Sequence, residues 1–213
     1  MAMTGKTVKT VMAALAAACV AMAAIVAGCA VIRSCDMMPD DTHYASLEQR
    51  ADAALKAAKR HGLSTNYCLL VDYSVPSGKP RLYVWSFKSR KTVARTYAMH
   101  GAGGGSTARK PVFSNKPGSE CSSLGRFEVT LERGIRMKKS LRLKGLDTTN
   151  SNAYGRGLMV HGSLWVNVNC WRKYIPLNRR SSQGCVTVST RGFDYIDSLA
   201  HSESKPMLLW TFC

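Results

Sequence analysis

From Asn66 onward the chain alternates apolar and polar residues with a period of two, in short runs cut apart by glycine, serine and proline. "YCLLVDYS", "RLYVWSF" and "TVARTYAM" come first, joined by "VPSGKP" and "KSRK" as hairpin connections would be. "RFEVTL", "GLMVHG", "SLWVNV", "CVTVS" and a terminal "MLLWTF" follow, each of strand length. Only "TRGFDYIDSLAH" returns to a helical period. Many short β-branched and aromatic runs between Gly- and Ser-rich loops predict a mainly β domain over residues 63–213, a sandwich or a barrel-like closure, with one short helix near its C-terminus. No internal repeat is present.

Upstream, "HYASLEQRADAALKAAKRHG" predicts an N-terminal helix within 43–62. Asp41 or Thr42 can cap it, and Gly62 provides the left-handed stop. Its narrow stripe of Leu47, Ala51, Ala54, Leu55 and Ala58 reads as a packing face. Residues 29–42 form a short polar tether. Residues 1–28 have the layout of an export signal: Lys6 and Lys9 give a positive start, and Val11 to Ala27 is uncharged and rich in Ala, Val and Met. "VAGC" resembles a lipoprotein signal, which implies a cut before Cys29 and lipid on its thiol. The other reading is an uncleaved anchor, since the apolar run continues through Ile32, long enough to span a bilayer. Both readings place the rest outside the cytoplasm, in the cell envelope: tethered to the membrane on the periplasmic face, or secreted.

Removing the first 28 of 213 residues leaves 185, enough for one domain with its own core. The removed part carries two lysines and no acid, so the formal charge falls from +17 to +15. A basic exported chain faces anionic envelope polymers, phospholipid surfaces and carboxylate-bearing cell wall. No basic motif interleaved with aromatics speaks for nucleic acid. The eight cysteines are 19, 29, 35, 68, 121, 170, 185 and 213. With Cys19 in the signal, Cys29 lipidated and Cys185 free, five remain for two disulfides and an odd thiol, with connectivity open. The five histidines are scattered without an acid cluster, so no metal is predicted. "GAGGGST" lacks the Lys and following helix of a phosphate loop, so no nucleotide or other cofactor is predicted either.

"GLMVHG" and "SSQGCVTVS" carry the chemistry. His161 ends one apolar strand and Cys185 opens another, on a Ser-x-Gly turn. A thiol becomes a nucleophile when a neighbouring base takes its proton, and histidine is such a base. A glycine just before it allows close substrate approach and lets main-chain N–H groups face a developing oxyanion. On spacing alone, a disulfide-bonded Cys185 and a packed His161 remain the competing reading.

"MVHGSLWV…SSQGCVTV" resembles the active-site region of the murein L,D-transpeptidase catalytic domain family, with its His–Gly and Ser/Thr-x-Gly-Cys signature. "YAMHGAGGG", "FSNKPGSECSSLGRFEV" and "LRLKGLDTTNSNAYGRGLMVHG" occur in the order of one subgroup, so the resemblance covers about residues 66 to 212. It implies a β-rich catalytic domain acting on peptidoglycan stem peptides. Cys185 would be the nucleophile and His161 its base, with Ser182 and Gly184 shaping the turn. His100, Ser114, Asn115, Ser123, Gly125, Asn150 and Arg156 match subgroup positions. Of these, His100, Asn115, Ser123 and Arg156 are the expected substrate-side residues. Two departures stand out: Gln183 replaces the second histidine of the better-known pattern, and Thr187 replaces an Asn or Arg. Arg179, Arg180 or Arg191 would have to take over the substrate carboxylate. The inserted "NVNCWRKYIPLNRR", near Trp165, Trp171 and Tyr174, reads as a lid, a glycan-stacking surface or simple packing.

The implied function is a monomeric, cofactor-free L,D-transpeptidase that forms a thioester with a stem tetrapeptide and passes it to an amine or to water. An L,D-carboxypeptidase or another cysteine peptidase, and a non-catalytic basic envelope lipoprotein, are the alternatives.

Overall fold

The computed structural model describes residues 12–24, 38–39, 45–135, 137 and 139–213. The chain divides into two units, Met1–Ser34 and Cys35–Cys213. In the first, residues 12–24 form a helix, α1, with exposed side chains. Among the described residues no helix is long and apolar enough to cross a membrane. Cys29, Cys35, Asp41 and Thr42 lie outside the described residues.

The second unit begins with β1 (Met38–Pro39), inside the stretch read as a tether, followed by α2 (Ala45–Arg60). Then come β2 (Tyr67–Asp72), β3 (Leu82–Ser86), β4 (Lys91–Thr96), β5 (Ala98–Met99), β6 (Gly125–Val129) and β7 (Ser140–Gly145). A 3-10 turn at Thr148–Asn150 leads to β8 (Met159–Gly162), α3 (Leu164–Asn169), β9 (Val186–Val188), α4 (Thr190–Ser202) and β10 (Met207–Phe212). The strands form one sheet in the order β1-β4-β3-β2-β10-β6-β7-β8-β9-β5. Only Tyr97 separates β4 from β5, yet β4 lies near one end of that order and β5 is the other end. The sheet therefore curls back on itself into a nearly closed barrel. The seam is tied by Thr96 Oγ1 and Ser189 Oγ, 2.9 Å apart, and Gly192 of α4 leaves room for Thr96.

β2 is buried on both faces, which explains its unbroken apolar run. Leu69 and Val71 join the main core with Val84, Phe127, Leu141, Val160, Val186 and Leu209. Their neighbours Cys68 and Leu70 pack with Trp85, Leu208 and Phe212 under Leu47, Ala51, Ala54, Ala57 and Ala58 of α2. Ala57 takes the place in the stripe expected for Leu55, which is only half-buried. Alanine on that face lets the helix backbone approach the sheet. Gly62 adopts φ +67°, and Leu63 N–H bonds Ala58 O at 2.9 Å, closing the last turn as expected. Phe193, Ile196 and Ala200 of α4 complete the main core.

Two elements depart from the sequence reading. "SLWVNV", expected as a strand, is helix α3: the Ser163 hydroxyl accepts from Trp165 N–H at 3.2 Å and starts a helix where apolar run length alone suggested a strand. β7, "SLRLKG", is a further strand: Leu141 and Leu143 alternate with Arg142 and Lys144, and pairing with β6 and β8 fixes it. The expectation of two disulfides is also corrected: Cys68, Cys121, Cys185 and Cys213 are free, and Cys170 is disulfide-bonded.

Candidate active site

β8 and β9 run parallel, with Val160 opposite Val186 and His161 opposite Thr187. Cys185, just before β9, therefore stands across from Met159. Side chains alternate along a strand, so Cys185 and Thr187 share a face with Met159 and His161, and strand spacing sets the Cys185 and His161 Cα atoms roughly 8 Å apart. Both residues line one cavity of about 340 Å³ with Arg156, Arg179, Arg180 and Gln183. The thiol is unoxidised and largely buried.

The turn carrying Cys185 is held by three loops. Gly184 has φ +109°, and a Cβ there would lie 2.5 Å from Cys121 O and 2.9 Å from Leu158, so only glycine fits. Ser182 Oγ donates to Cys185 O at 3.0 Å, closing the Ser-x-Gly-Cys turn on itself. Ser122 Oγ donates to Gly184 O and accepts from Gly101 N–H, while Ala102 N–H bonds Ser182 O. The blocks "HGAGGG" and "ECSSLG" thus clamp the turn carrying Cys185 rather than lining its cavity.

His161 is buried, its Nδ1 3.2 Å from Gly162 O and its Nε2 3.1 Å from Thr187 Oγ1. Thr187 Oγ1 in turn donates to Ser181 O at 3.0 Å. In the tautomer that keeps the Thr187–Ser181 bond, Nε2 donates to Thr187 and Nδ1 is the basic nitrogen of the neutral ring. Both contacts of the ring and the Thr187–Ser181 bond are satisfied together only when the ring is doubly protonated. Burial lowers the His161 pKa, opposed by the Gly162 carbonyl. Burial pushes the Cys185 thiol up to about 11, opposed by a main-chain hydrogen bond at Met159, the Arg156 charge and a main-chain bond of its own. The resting pair is thus a neutral thiol and a neutral imidazole. No hydrogen bond joins the two side chains in this state, a separation common in substrate-free sites.

Arg156 lies between this cavity and a second one of about 430 Å³, which Glu120 and Asn152 also line. Its guanidinium donates to Ser114 O, Ser123 Oγ, Ser119 Oγ and Cys121 O. Among the described residues it binds no carboxylate; it knits the 114–123 loop together. Ser123 receives one of those bonds and donates to Ser114 O. Asn115 sits away from Cys185, bonding Thr148 O, Ser151 Oγ and Asn152 N–H. His100 is buried at 1 % exposure between Arg81 Nη2 and Thr107 O, both at 3.0 Å. Burial and the Arg81 charge hold its pKa down at about 4, against the Thr107 hydrogen bond. Asn150 ends the 3-10 turn after β7 and its Nδ2 donates to Arg126 O, while Gly125 opens β6 and packs against that turn. Of the candidate carboxylate partners, Arg179 and Arg180 line the Cys185 cavity. The insertion is anchored: Trp165 Nε1 donates to Pro176 O, Ile175 N–H bonds Ser77 Oγ, and Gly78 packs on the Arg172 carbonyl, while Trp171 is exposed. Among the described residues no group of acidic, histidine or cysteine side chains is placed to hold a metal.

A buried free thiol on a glycine-held turn and a strand-borne imidazole thus line one cavity. The chain belongs to the L,D-transpeptidase catalytic domain family, whose pattern matches residues 40–208. Membership assigns it in general terms to peptidoglycan modification. No curated protein matches the chain. Among solved structures it is similar to the helical cell shape determining protein Pgp2 from Campylobacter jejuni, at 12% identity and TM-score 0.41, covering 77% of this chain and 55% of that one. An L,D-transpeptidase from Mycobacterium tuberculosis H37Rv gives 13% identity and TM-score 0.36, covering 70% and 58%. The chain thus spans little more than half of these structures.

Proposed function

We propose that the protein is an L,D-transpeptidase in which Cys185 attacks the carbonyl at the L-centre of the diamino-acid residue of a stem tetrapeptide. His161 Nδ1 takes the thiol proton; the Sγ–C bond forms, the C–N bond to the terminal D-alanine breaks, and the imidazolium returns the proton to the departing amine. An amine from a second stem then attacks the thioester, giving its proton to His161, and the C–S bond breaks to regenerate the thiol. Water in the amine's place gives carboxypeptidase action. Ser182 and Gly184 hold the turn, and main-chain N–H groups around it face the developing oxyanion. Arg179 and Arg180 offer charge for the stem carboxylate.

The observation carrying this reading is that a free Cys185 and His161 line the same cavity. Export and lipidation at Cys29 belong to the same proposal, supported by the charged start and apolar run of residues 1–28; membrane fractionation tests the tether. Incubating the protein with purified muropeptides and weighing the products tests the chemistry. Loss of D-alanine with appearance of a linked dimer is the expected outcome. Cleavage elsewhere in the peptide, or an unchanged tetrapeptide, would contradict it.

A further inference from the structure

The helix α3 is inverted: its asparagines Asn167 and Asn169 are buried, while Leu164 is 67% exposed and Val168 44%. Both ends of the Asn167 amide are held inward, Nδ2 donating to Thr190 Oγ1 and Oδ1 accepting from Thr190 N–H, each at 3.0 Å. Asn169 Nδ2 donates to Trp165 O at 2.9 Å. These bonds fix the roll of the helix against the start of α4 and turn its apolar side to solvent, the reverse of an ordinary surface helix. Trp171 extends that side. It is 63% exposed, and its Nε1 donates to Val168 O at 2.9 Å. Leu164, Val168 and Trp171 follow the i, i+4, i+7 spacing of one continuous stripe. The charge around it has one sign. Between Asp147 and Asp194 the sequence has no acid and six basic residues, Arg156, Arg172, Lys173, Arg179, Arg180 and Arg191. Arg172 and Lys173 are exposed beside the stripe and, among the described residues, pair with no carboxylate. Arg172 Cζ lies instead 4.4 Å from the Trp171 ring centroid, and Lys173 Nζ 5.8 Å from that of Tyr174. Exposed Lys79 joins them, since its neighbour Gly78 packs on the Arg172 carbonyl.

We infer that α3 and Trp171 form a docking face for the surface of a bilayer that contains anionic lipid. Leu164, Val168 and Trp171 enter the boundary between headgroups and acyl chains, where tryptophan is at home. Arg172, Lys173 and Lys79 stay at the level of the lipid phosphates, their long stems lying along the apolar boundary. The shape of the face selects this partner. None of its three apolar residues lines the Cys185 cavity or the one beside it. A sugar polymer needs a cleft or a row of flat rings, whereas Leu164 and Val168 present no flat face and Arg172 already lies over the Trp171 ring. A bilayer accepts a convex apolar stripe with basic flanks. The inference goes beyond the acyl-transfer reading and uses none of the Cys185 chemistry.

Residues 1–28 carry an apolar run of their own, so the test needs a local probe rather than binding of the whole chain. Trp171 is that probe: Trp85 is buried and Trp165 and Trp210 are half-buried, which leaves Trp171 as the exposed tryptophan of the four. The full chain is mixed with phosphatidylcholine vesicles with and without phosphatidylglycerol, and with brominated acyl chains as quencher. Vesicles with phosphatidylglycerol should move the emission to shorter wavelength and the bromines should quench it, and Trp171→Phe should remove both changes. Leu164→Ser combined with Val168→Ser should weaken docking about tenfold, the scale of returning two partly buried aliphatic side chains to water. A Trp171 signal unchanged by vesicles, undiminished in the folded serine variant, or equal without phosphatidylglycerol would overturn the inference. So would a shift given by soluble glycan strands and not by vesicles. Acylation of Cys185, measured on the same samples, decides the transpeptidase reading separately.

Discussion

At the residue scale, the candidate pair of Cys185 and His161 could be picked out because glycine and histidine leave marks in sequence: "QGC" asks for a backbone that favours glycine, and the structure places Gly184 at φ +109°. Thr187 was quoted only as a departure from the family pattern. Yet it lies two residues beyond Cys185, and a period of two puts both on one face. That signal was available and identifies Thr187 as the partner of His161 Nε2. Thr187 sets which imidazole nitrogen carries the proton, so Thr187→Val should slow acylation of Cys185 by about tenfold to a hundredfold, the usual scale for a group that orients a functional side chain. Thr187→Ser, which keeps the hydroxyl, should restore the rate. A valine variant acylated at the wild-type rate would show that the hydroxyl is mere packing.

At the element scale, the strands were readable wherever burial on one or both faces produced alternation or an unbroken apolar run, as in β2, β3 and β10. α3 was not, because six residues of mixed apolar character suit either structure and a single capping hydroxyl tips the balance. The barrel seam was equally hidden: nothing in "TVARTYAM" announces that Tyr97 divides strands at opposite ends of the sheet. Ser189 works at that seam. Its hydroxyl accepts from Gly192 N–H at the start of α4 and meets Thr96 Oγ1, fully buried. Ser189→Ala should therefore destabilise the domain by about 1–3 kcal/mol, from a lost cap and a stranded threonine hydroxyl. The denaturation midpoint in urea measures this, and an unchanged midpoint would place the closure of the barrel elsewhere.

At the scale of the whole molecule, two buried histidines tie folding to pH. The pKa of His100 is held at about 4 in the fold. An unfolded chain restores it to about 6.5. The unfolded state binds more protons between these values, so the stability is complete above the upper one and is lost as pH falls toward the lower. The loss from His100 amounts to about 2 kcal/mol between pH 7 and pH 5. His161, also lowered by burial, acts in the same direction. His100→Gln keeps a hydrogen-bonding group beside Arg81 but does not titrate. Its urea midpoint should therefore fall less steeply with acid than that of the wild type, and parallel pH curves would contradict the assignment. The same burial keeps Cys185 a neutral thiol in the folded protein. The most direct test of the account is intact mass after acid quench of the protein with a stem tetrapeptide. The wild type should carry the acyl mass on the peptide containing Cys185, and Cys185→Ala should carry none. An adduct that persists in the alanine variant, or that maps to Cys121, would contradict the assignment of the nucleophile.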